Sequence, residues 1–415
     1  MGSDVSNFFL RSSLANSFCI LILILIAFYF VFPGYYKLYA YSVSLLGMLG
    51  LFFARSGVDY KPLVPVLSIF FVVSIADFYN YVIGVTTLSD FEKIIRNTVL
   101  VFPFLFFLSK ASIKPICLML VGTLLFLVTL FFVLLQINGL YAQGASHYDF
   151  IHPGLWFNKG SFSAAVVIFF ALFVGISFYI EGRCARFLLL TSYFSVFMIL
   201  YLTQARGPLL AFFLISICIV FFSIKPFFTS RRSLVLCSIL FFAIGFVFIY
   251  SAFGDKISIG KGELVEHIES GSQYTSVSIR LDTWQLAWDV FKQGPLWGAG
   301  TQGASVAKKE IVDSGKYPEY ILNYHTHSEY FMTLERGGVV GIFGLLWMLF
   351  FPVFHLKSVG VLYRNMYPLL LVVGSFMIIG ITSATIRNNI GANSFLLCLL
   401  FAYFFSYKYF SRESV

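Results

Sequence analysis

NYHTHSEYFMTLERGGVVGIFGLLWMLFFPVFHLK, residues 323–357, opens on two histidines, two glutamates and an arginine, then turns into an apolar run that closes on Lys357. No charged side chain occurs from Gly337 to Phe354. A helix needs about 20 such residues to cross a bilayer. The run predicts a membrane helix over 336–355, with the polar head left outside it. Comparable runs recur along the chain and predict spans near 17–34, 38–54, 62–86, 96–109, 113–137, 161–181, 187–203, 208–224, 233–252, 336–355, 366–384 and 389–408. The reading is an all-α, polytopic helical membrane protein with about twelve transmembrane helices.

Composition agrees. Of 415 residues, 59% are hydrophobic and 11% charged, and the mean hydropathy is +0.87. Soluble domains carry about twice that charge. The run at 18–32 lacks a small-residue cleavage site and reads as a retained helix. A net charge of +9 could suggest nucleic acid, but its distribution points elsewhere. Arg55, Lys61, Lys110, Lys114, Arg183, Arg186, Lys225, Arg231, Arg232, Lys357 and Arg364 fall on one set of connectors, and Arg11, Lys408 and Arg412 lie near the termini. The other side holds Lys37, Lys93, Arg96, Lys159, Arg206 and Arg387. The positive-inside rule places both termini in the cytoplasm. The charge is a topological signal, and nucleic acid is not an expected partner.

Residues 1–415 read as a single integral membrane domain. The cytoplasmic connectors are too short for a nucleotide-binding domain, and no Gly-Lys-Ser/Thr phosphate loop occurs. The polar mass lies outside, in the segment 138–160 and in a large loop, 253–335, inserted between transmembrane helices 9 and 10. The six cysteines fall in spans or a short turn, which argues against a disulfide framework and for small apolar fillers. Within the large loop, Leu281, Trp284, Trp288 and Phe291 recur at helical spacing, and Gly294-Pro295 marks the stop. The stripe suits a helix lying on the membrane surface or covering a cavity between spans.

Three features carry candidate chemistry. In "TQARGPLL", residues 203–210, Arg206 sits between two spans, with Gly207-Pro208 forming the turn. It reads either as a snorkelling anchor or as a guanidinium aimed at a lipid phosphate, which it matches bidentately. Arg280 falls in the first turn of the amphipathic helix, either as a solvated arginine or as a second guanidinium. A pyrophosphate leaving group would use it, because negative charge grows there as its bond to sugar breaks. Thr326-His-Ser-Glu329 has the spacing of a capping box, with Thr326 as N-cap and His327 at the first helical position. The positive helix end would keep that imidazole neutral and able to accept a proton. This helix is expected to end or bend at Gly337-Gly338. His325 and His327 with His267, Glu329 or His147 could bind zinc, but no HExxH or paired-Cys motif supports such a site, and neither metal nor other cofactor is expected.

With no cytosolic catalytic domain, nucleotide motif or metal motif, the candidates are two arginines and a neutral histidine at the outer face. A lipid carrying a pyrophosphate-linked sugar fits such a site, since it is already activated and needs no ATP.

These residues resemble the bacterial O-antigen ligases and the related O-antigen polymerases. The ligase pattern is His followed by Asn, Ser or Gln, nine residues, then Gly-x-x-Gly. Here it reads His327-Ser328, residues 329–337, then Gly338-Val-Val-Gly341. "TQARGPLL" looks like the family's Thr-x-x-Arg turn, and "SIRLDTWQLAWDVFKQGPLWGAGTQG" like its Arg-Leu helix and Gly-rich segment. The resemblance implies a glycosyltransferase at the periplasmic face of the inner membrane. It would move O-antigen polysaccharide from undecaprenyl pyrophosphate to lipid A–core in lipopolysaccharide biosynthesis, without metal or ATP. Membrane lipids surround it. Arg206, Arg280 and His327 become the catalytic candidates; Arg206, Arg280, Arg387 and Ser328 the substrate-binding ones. An acidic residue sometimes found near the last periplasmic turn is absent from "ITSATIRNNIG", which leaves Arg387 there. An O-antigen polymerase or a protein O-oligosaccharyltransferase would use the same donor. A lipid-linked sugar flippase or transporter fits less well, because the charges sit mainly at span edges.

Overall fold

The computed structural model describes residues 63–91, 115–142, 159–180, 182–203, 205–224, 258–269, 274–384 and 389–410. These residues form helices and no strands. The helices are α1 (Leu63–Val82), α2 (Pro115–Ala142), α3 (Lys159–Ser177), α4 (Arg183–Thr203), α5 (Arg206–Ile224), α6 (258–269), α7 (Ser276–Gln293), α8 (Gly300–Asp313), α9 (Glu329–Ser358), α10 (Tyr367–Thr382) and α11 (Asn389–Phe410). Six of them, α1 to α4, α9 and α10, are long and apolar enough to cross a membrane, and α5 and α11 contribute the shorter apolar helices Gly207–Ile217 and Ser394–Phe410. The protein is an all-α polytopic membrane protein. These eight helices match eight of the expected spans, while the runs at 17–34, 38–54, 96–109 and 233–252 lie outside the described residues. Cys117, Cys184 and Cys398 are free thiols.

Close backbone approaches set the topology. In a bilayer, lipid tails are as apolar as the helix faces, so association rests on packing at small residues. Gly344 lies against Val72 and Val73, and Gly337 against Ala76. The amide of Asn80 donates 2.8 Å bonds to the carbonyls of Trp297 and Arg336. Helix α9 therefore runs antiparallel to α1, with the C-terminal end of α1 at the polar end of α9. Helix α3 passes through the middle of the bundle, where Ala164, Val167, Phe170 and Ala171 are fully enclosed. Its Gly175 packs on Pro368 at the start of α10, and its other end bonds to α4 through Ser163 Oγ and Thr203 Oγ1 at 2.8 Å. Phe376 of α10 stacks on Phe395 of α11 at 4.0 Å. One end of the bundle thus gathers the C-terminal ends of α1, α4 and α10 with the N-terminal ends of α3, α5 and α9.

Helices α7 and α8 belong to a small module on that end. Thr275 caps α7 by accepting from the Ser278 amide at 3.2 Å, and Gly294 ends it, as the Gly-Pro stop predicts. The stripe is divided between a packed and an exposed part: Trp284 stacks on Phe331 of α9. Ile279, Asp282, Thr283, Leu286 and Val290 face inward, whereas Trp288 is 46% exposed. The face beside the aromatic stripe is covered by α8 and the turn at Glu319–Asn323, through Leu286, Val312, Tyr317 and Ile321. Lys316 Nζ at 2.6 Å and the Tyr317 hydroxyl at 2.7 Å both bind Asp289, fastening the module.

Candidate active site

The apolar part of α9 is broken where the sequence places Gly337-Gly338. Gly338 has φ 60° and ψ −154°, outside helical space. The segment 294–300 docks into the break. The Ala299 amide donates to the Glu335 carbonyl at 2.9 Å. The amides of Val339 and Val340 donate to the carbonyls of Pro295 and Leu296 at 2.9 and 3.1 Å. Backbone groups freed by the kink are thereby satisfied, as buried amides and carbonyls require. Gly298, at φ 68°, meets Arg336 and Gly337 backbone to backbone. This contact is why a Gly-rich loop 40 residues upstream belongs with the glycine pair in α9, and it fixes the module on the bundle.

His327 sits just before α9, half-buried, with the His325 ring 4.8 Å away and Arg280 of α7 close enough to act on its charge. Trp284 stacks on Phe331 at 5.4 Å and holds α7 to α9 beside it. Burial first, then His325 and Arg280, push the His327 pKa down to about 4. His325, nearer the surface, is lowered too, by partial burial and then by Arg336 and Lys308. The ring is neutral at pH 7, as expected from the sequence, but for another reason.

The expected capping box does not form. Helix α9 begins at Glu329 with Ser328 as N-cap (φ −148°, ψ 131°), and no side chain caps it. His327 is therefore outside the helix. Thr326 turns away from the helix end and donates to Glu335 Oε2 at 3.1 Å, while accepting from Lys308 Nζ at 3.0 Å. A buried lysine–glutamate pair outcompetes a neutral cap for the hydroxyl, because charged partners make the stronger bonds. Ser328 is 2% exposed and its hydroxyl donates to the Gly380 carbonyl at 3.3 Å, tying the start of α9 to α10.

The remaining candidates divide. Arg280 stands one residue beyond the first turn of α7 and is half-buried. Helix α5 already begins at Arg206, so Gly207-Pro208 lies inside its first turn and does not make the turn as expected. Gly207 packs so closely on Thr382 that a side chain there would collide with the Thr382 hydroxyl. Thr382 is two residues from Gly380, which touches Glu329 and Tyr330 and accepts from Ser328. The Gly207–Thr382 contact thus brings the start of α5 to the α10 end that also holds Ser328. The Arg206 side chain and all of Arg387 lie outside the described residues, as does His147. Among the described residues, no three His, Cys, Asp or Glu side chains converge as metal ligands. At the module's edge, the hydroxyls of Tyr274 and Tyr324 meet at 2.7 Å, joining the start of the Arg280 helix to the segment that carries His325.

Residues 191–346 match a family model described as O-antigen ligase. The match covers less than half of the chain and supports membership of the O-antigen ligase/polymerase superfamily. The matched stretch runs from α4 to the first half of α9 and contains Arg206, Arg280 and His327. A segment of 140 residues is also 24% identical to an uncharacterized protein of Haemophilus influenzae, covering 33% of this chain and 35% of that relative. The match therefore spans about a third of the relative's length. Superfamily membership supports an O-antigen ligase- or polymerase-type function in general.

Sequence reasoning missed Lys308, Glu335 and Asn80. The buried Glu335 binds Lys308 Nζ at 2.7 Å. Lys308 resembles its solvated neighbour Lys309, and no local spacing links it to a residue 27 positions on. Glu335 carried a trace of signal, being a carboxylate next to a predicted span.

Proposed function

We propose that this protein transfers O-antigen polysaccharide from undecaprenyl pyrophosphate to lipid A–core at the periplasmic face of the bacterial inner membrane. The observation that carries the reading is that Arg280, 47 positions away in the chain, comes close enough to His327 to act on its charge, at one end of the bundle within the matched region. The large loop is then periplasmic and both termini are cytoplasmic, as the lysine and arginine distribution requires.

An acceptor hydroxyl attacks the anomeric carbon of the donor sugar. The bond from that carbon to the pyrophosphate oxygen breaks, and the pyrophosphate leaves with the electron pair. Arg280, with Arg206, stabilises that growing charge in a water-poor setting. Neutral His327 takes the acceptor's proton. Ser328 orients the segment, and Arg387 is a further contact for phosphate or saccharide.

The test is transfer by purified protein with lipid-linked glycan and lipid A–core. Glycosylated core lipid is the expected product. A longer lipid-linked glycan would assign the chain to the polymerases, a glycosylated protein to the oligosaccharyltransferases, and no covalent product to lipid-linked sugar movement. EDTA and omission of ATP are expected to leave the rate unchanged, since the sugar–pyrophosphate bond supplies the driving force. Recovery by zinc of activity lost on chelation would overturn that expectation. Arg280→Ala is expected to lose most transfer at normal membrane levels, with Arg280→Lys recovering only part, because a point charge does not reproduce the guanidinium fork.

A further inference from the structure

Lys308, Thr326 and Glu335 form a closed triangle beneath the two histidines. Lys308 Nζ reaches Glu335 Oε2 at 2.7 Å and Thr326 Oγ1 at 3.0 Å, and Thr326 Oγ1 reaches the same carboxylate oxygen at 3.1 Å. Thr326 and Glu335 are fully buried, and the Lys308 side chain is 16% exposed. Such a pair is a poor device for stability alone, because apolar groups of the same volume hold a core as well or better. What it does supply is geometry. The three groups come from α8, α9 and the segment between them, and that segment is held at Thr326, the single residue between His325 and His327. Arg336 Nε stands 3.7 Å from the other carboxylate oxygen, so the triangle is also tied to the kink.

We propose that Lys308 is a positioning residue: through Thr326 and Glu335 it sets the His327 ring against Arg280. This deepens the proposed function and rests on it. The charged and titratable groups that act on the ring are His325 from the same segment and Arg280 from α7; Lys308 from α8 and Arg336 from α9 act in turn on His325, and Glu335 from α9 pairs with Lys308. Lys308 touches the carboxylate and the threonine hydroxyl, and acts on the reaction only through them.

Lys308→Met alone would strand a buried carboxylate and risks misfolding. The decisive variant is therefore the triple replacement Lys308→Met, Thr326→Val and Glu335→Leu, which leaves a neutral, apolar triangle of similar volume. Two readouts are taken. One is kcat and donor KM against pH. The other is modification of His327 by diethylpyrocarbonate across pH, followed by mass spectrometry, which needs no turnover. In the triple variant, kcat is expected to fall by up to about 10²-fold with donor KM unchanged, the scale of a misplaced reacting group. The His327 titration should rise toward the ordinary histidine value as the ring meets water, carrying the acid limb of the rate profile upward. Lys308→Arg, which keeps the charge, should recover part of the rate. An unchanged His327 titration overturns the proposal, whether or not the rate falls. If the wild-type protein gives no covalent product, the transfer reading fails, and the titration shift still decides what Lys308 holds.

Discussion

His327→Ala is expected to lose about 10²- to 10⁴-fold of the transfer rate, the usual worth of general-base assistance, at wild-type membrane levels. The ring is neutral at pH 7 because burial, His325 and Arg280 hold its pKa near 4. A neutral imidazole accepts a proton and a protonated one does not. The wild-type rate should therefore stay level from pH 7 toward 5 and fall as pH drops through about 4. His325→Ala should keep substantial activity, since His325 is the more exposed ring and Arg280 lies beside His327. Thr326→Ala should be intermediate: no helix cap is lost, but the segment before α9 loses its tie to Lys308 and Glu335. The measurement is ligation rate against pH for the three variants, normalised to protein in the membrane. A His327→Ala enzyme near the wild-type rate would remove the base. A well-working His327→Gln would reassign the ring to hydrogen bonding with phosphate or sugar.

Gly338→Ala and Gly298→Ala are each expected to abolish accumulation of folded protein. Gly338 occupies φ 60° and ψ −154°, a region essentially reserved for glycine, where another residue costs about 1–3 kcal/mol. An added Cβ would also stand 2.5 Å from both the Gly298 nitrogen and the Leu296 oxygen. At Gly298 it would press on the Arg336 carbonyl and lie 2.5 Å from the Gly337 nitrogen. Backbone cannot swing aside as a side chain can, so the loop must leave the kink. The bonds from Ala299, Val339 and Val340 would go with it. Each buried amide or carbonyl left unpaired costs about 1–3 kcal/mol, against a typical total stability of about 5–15 kcal/mol. Gly374→Ala is the control, because nothing lies within 4 Å of a Cβ there. Membrane levels and the thermal midpoint in detergent check the comparison. Wild-type values for Gly338→Ala would show that the kink is not required.

The one-dimensional pattern determined a good deal. Runs of about 20 uncharged apolar residues admit one solution in a bilayer, a helix that satisfies its own backbone, so the eight spans that fall on described residues were readable without a structure. The break at Gly338 was readable because two adjacent glycines rarely continue a helix, and the stop at Gly294 for the same reason of local backbone preference. The separate motifs around Arg206, Arg280 and His327 were likewise visible as residue types in register. Everything that depended on a competition between distant partners was not. The spacing of Thr326 and Glu329 favours a cap, but Lys308 and Glu335 take the threonine because charge-assisted bonds are stronger. Periodicity showed the tryptophan stripe of α7, but not that α8 would pack on the face beside it through Leu286 and Val312. The neutrality of His327 was foreseen from a helix end it does not occupy; burial, then His325 and Arg280, impose it instead. Sequence fixes what each segment prefers alone, whereas burial, ion pairing and close backbone contact are properties of segments brought together, and only the tertiary structure decides them.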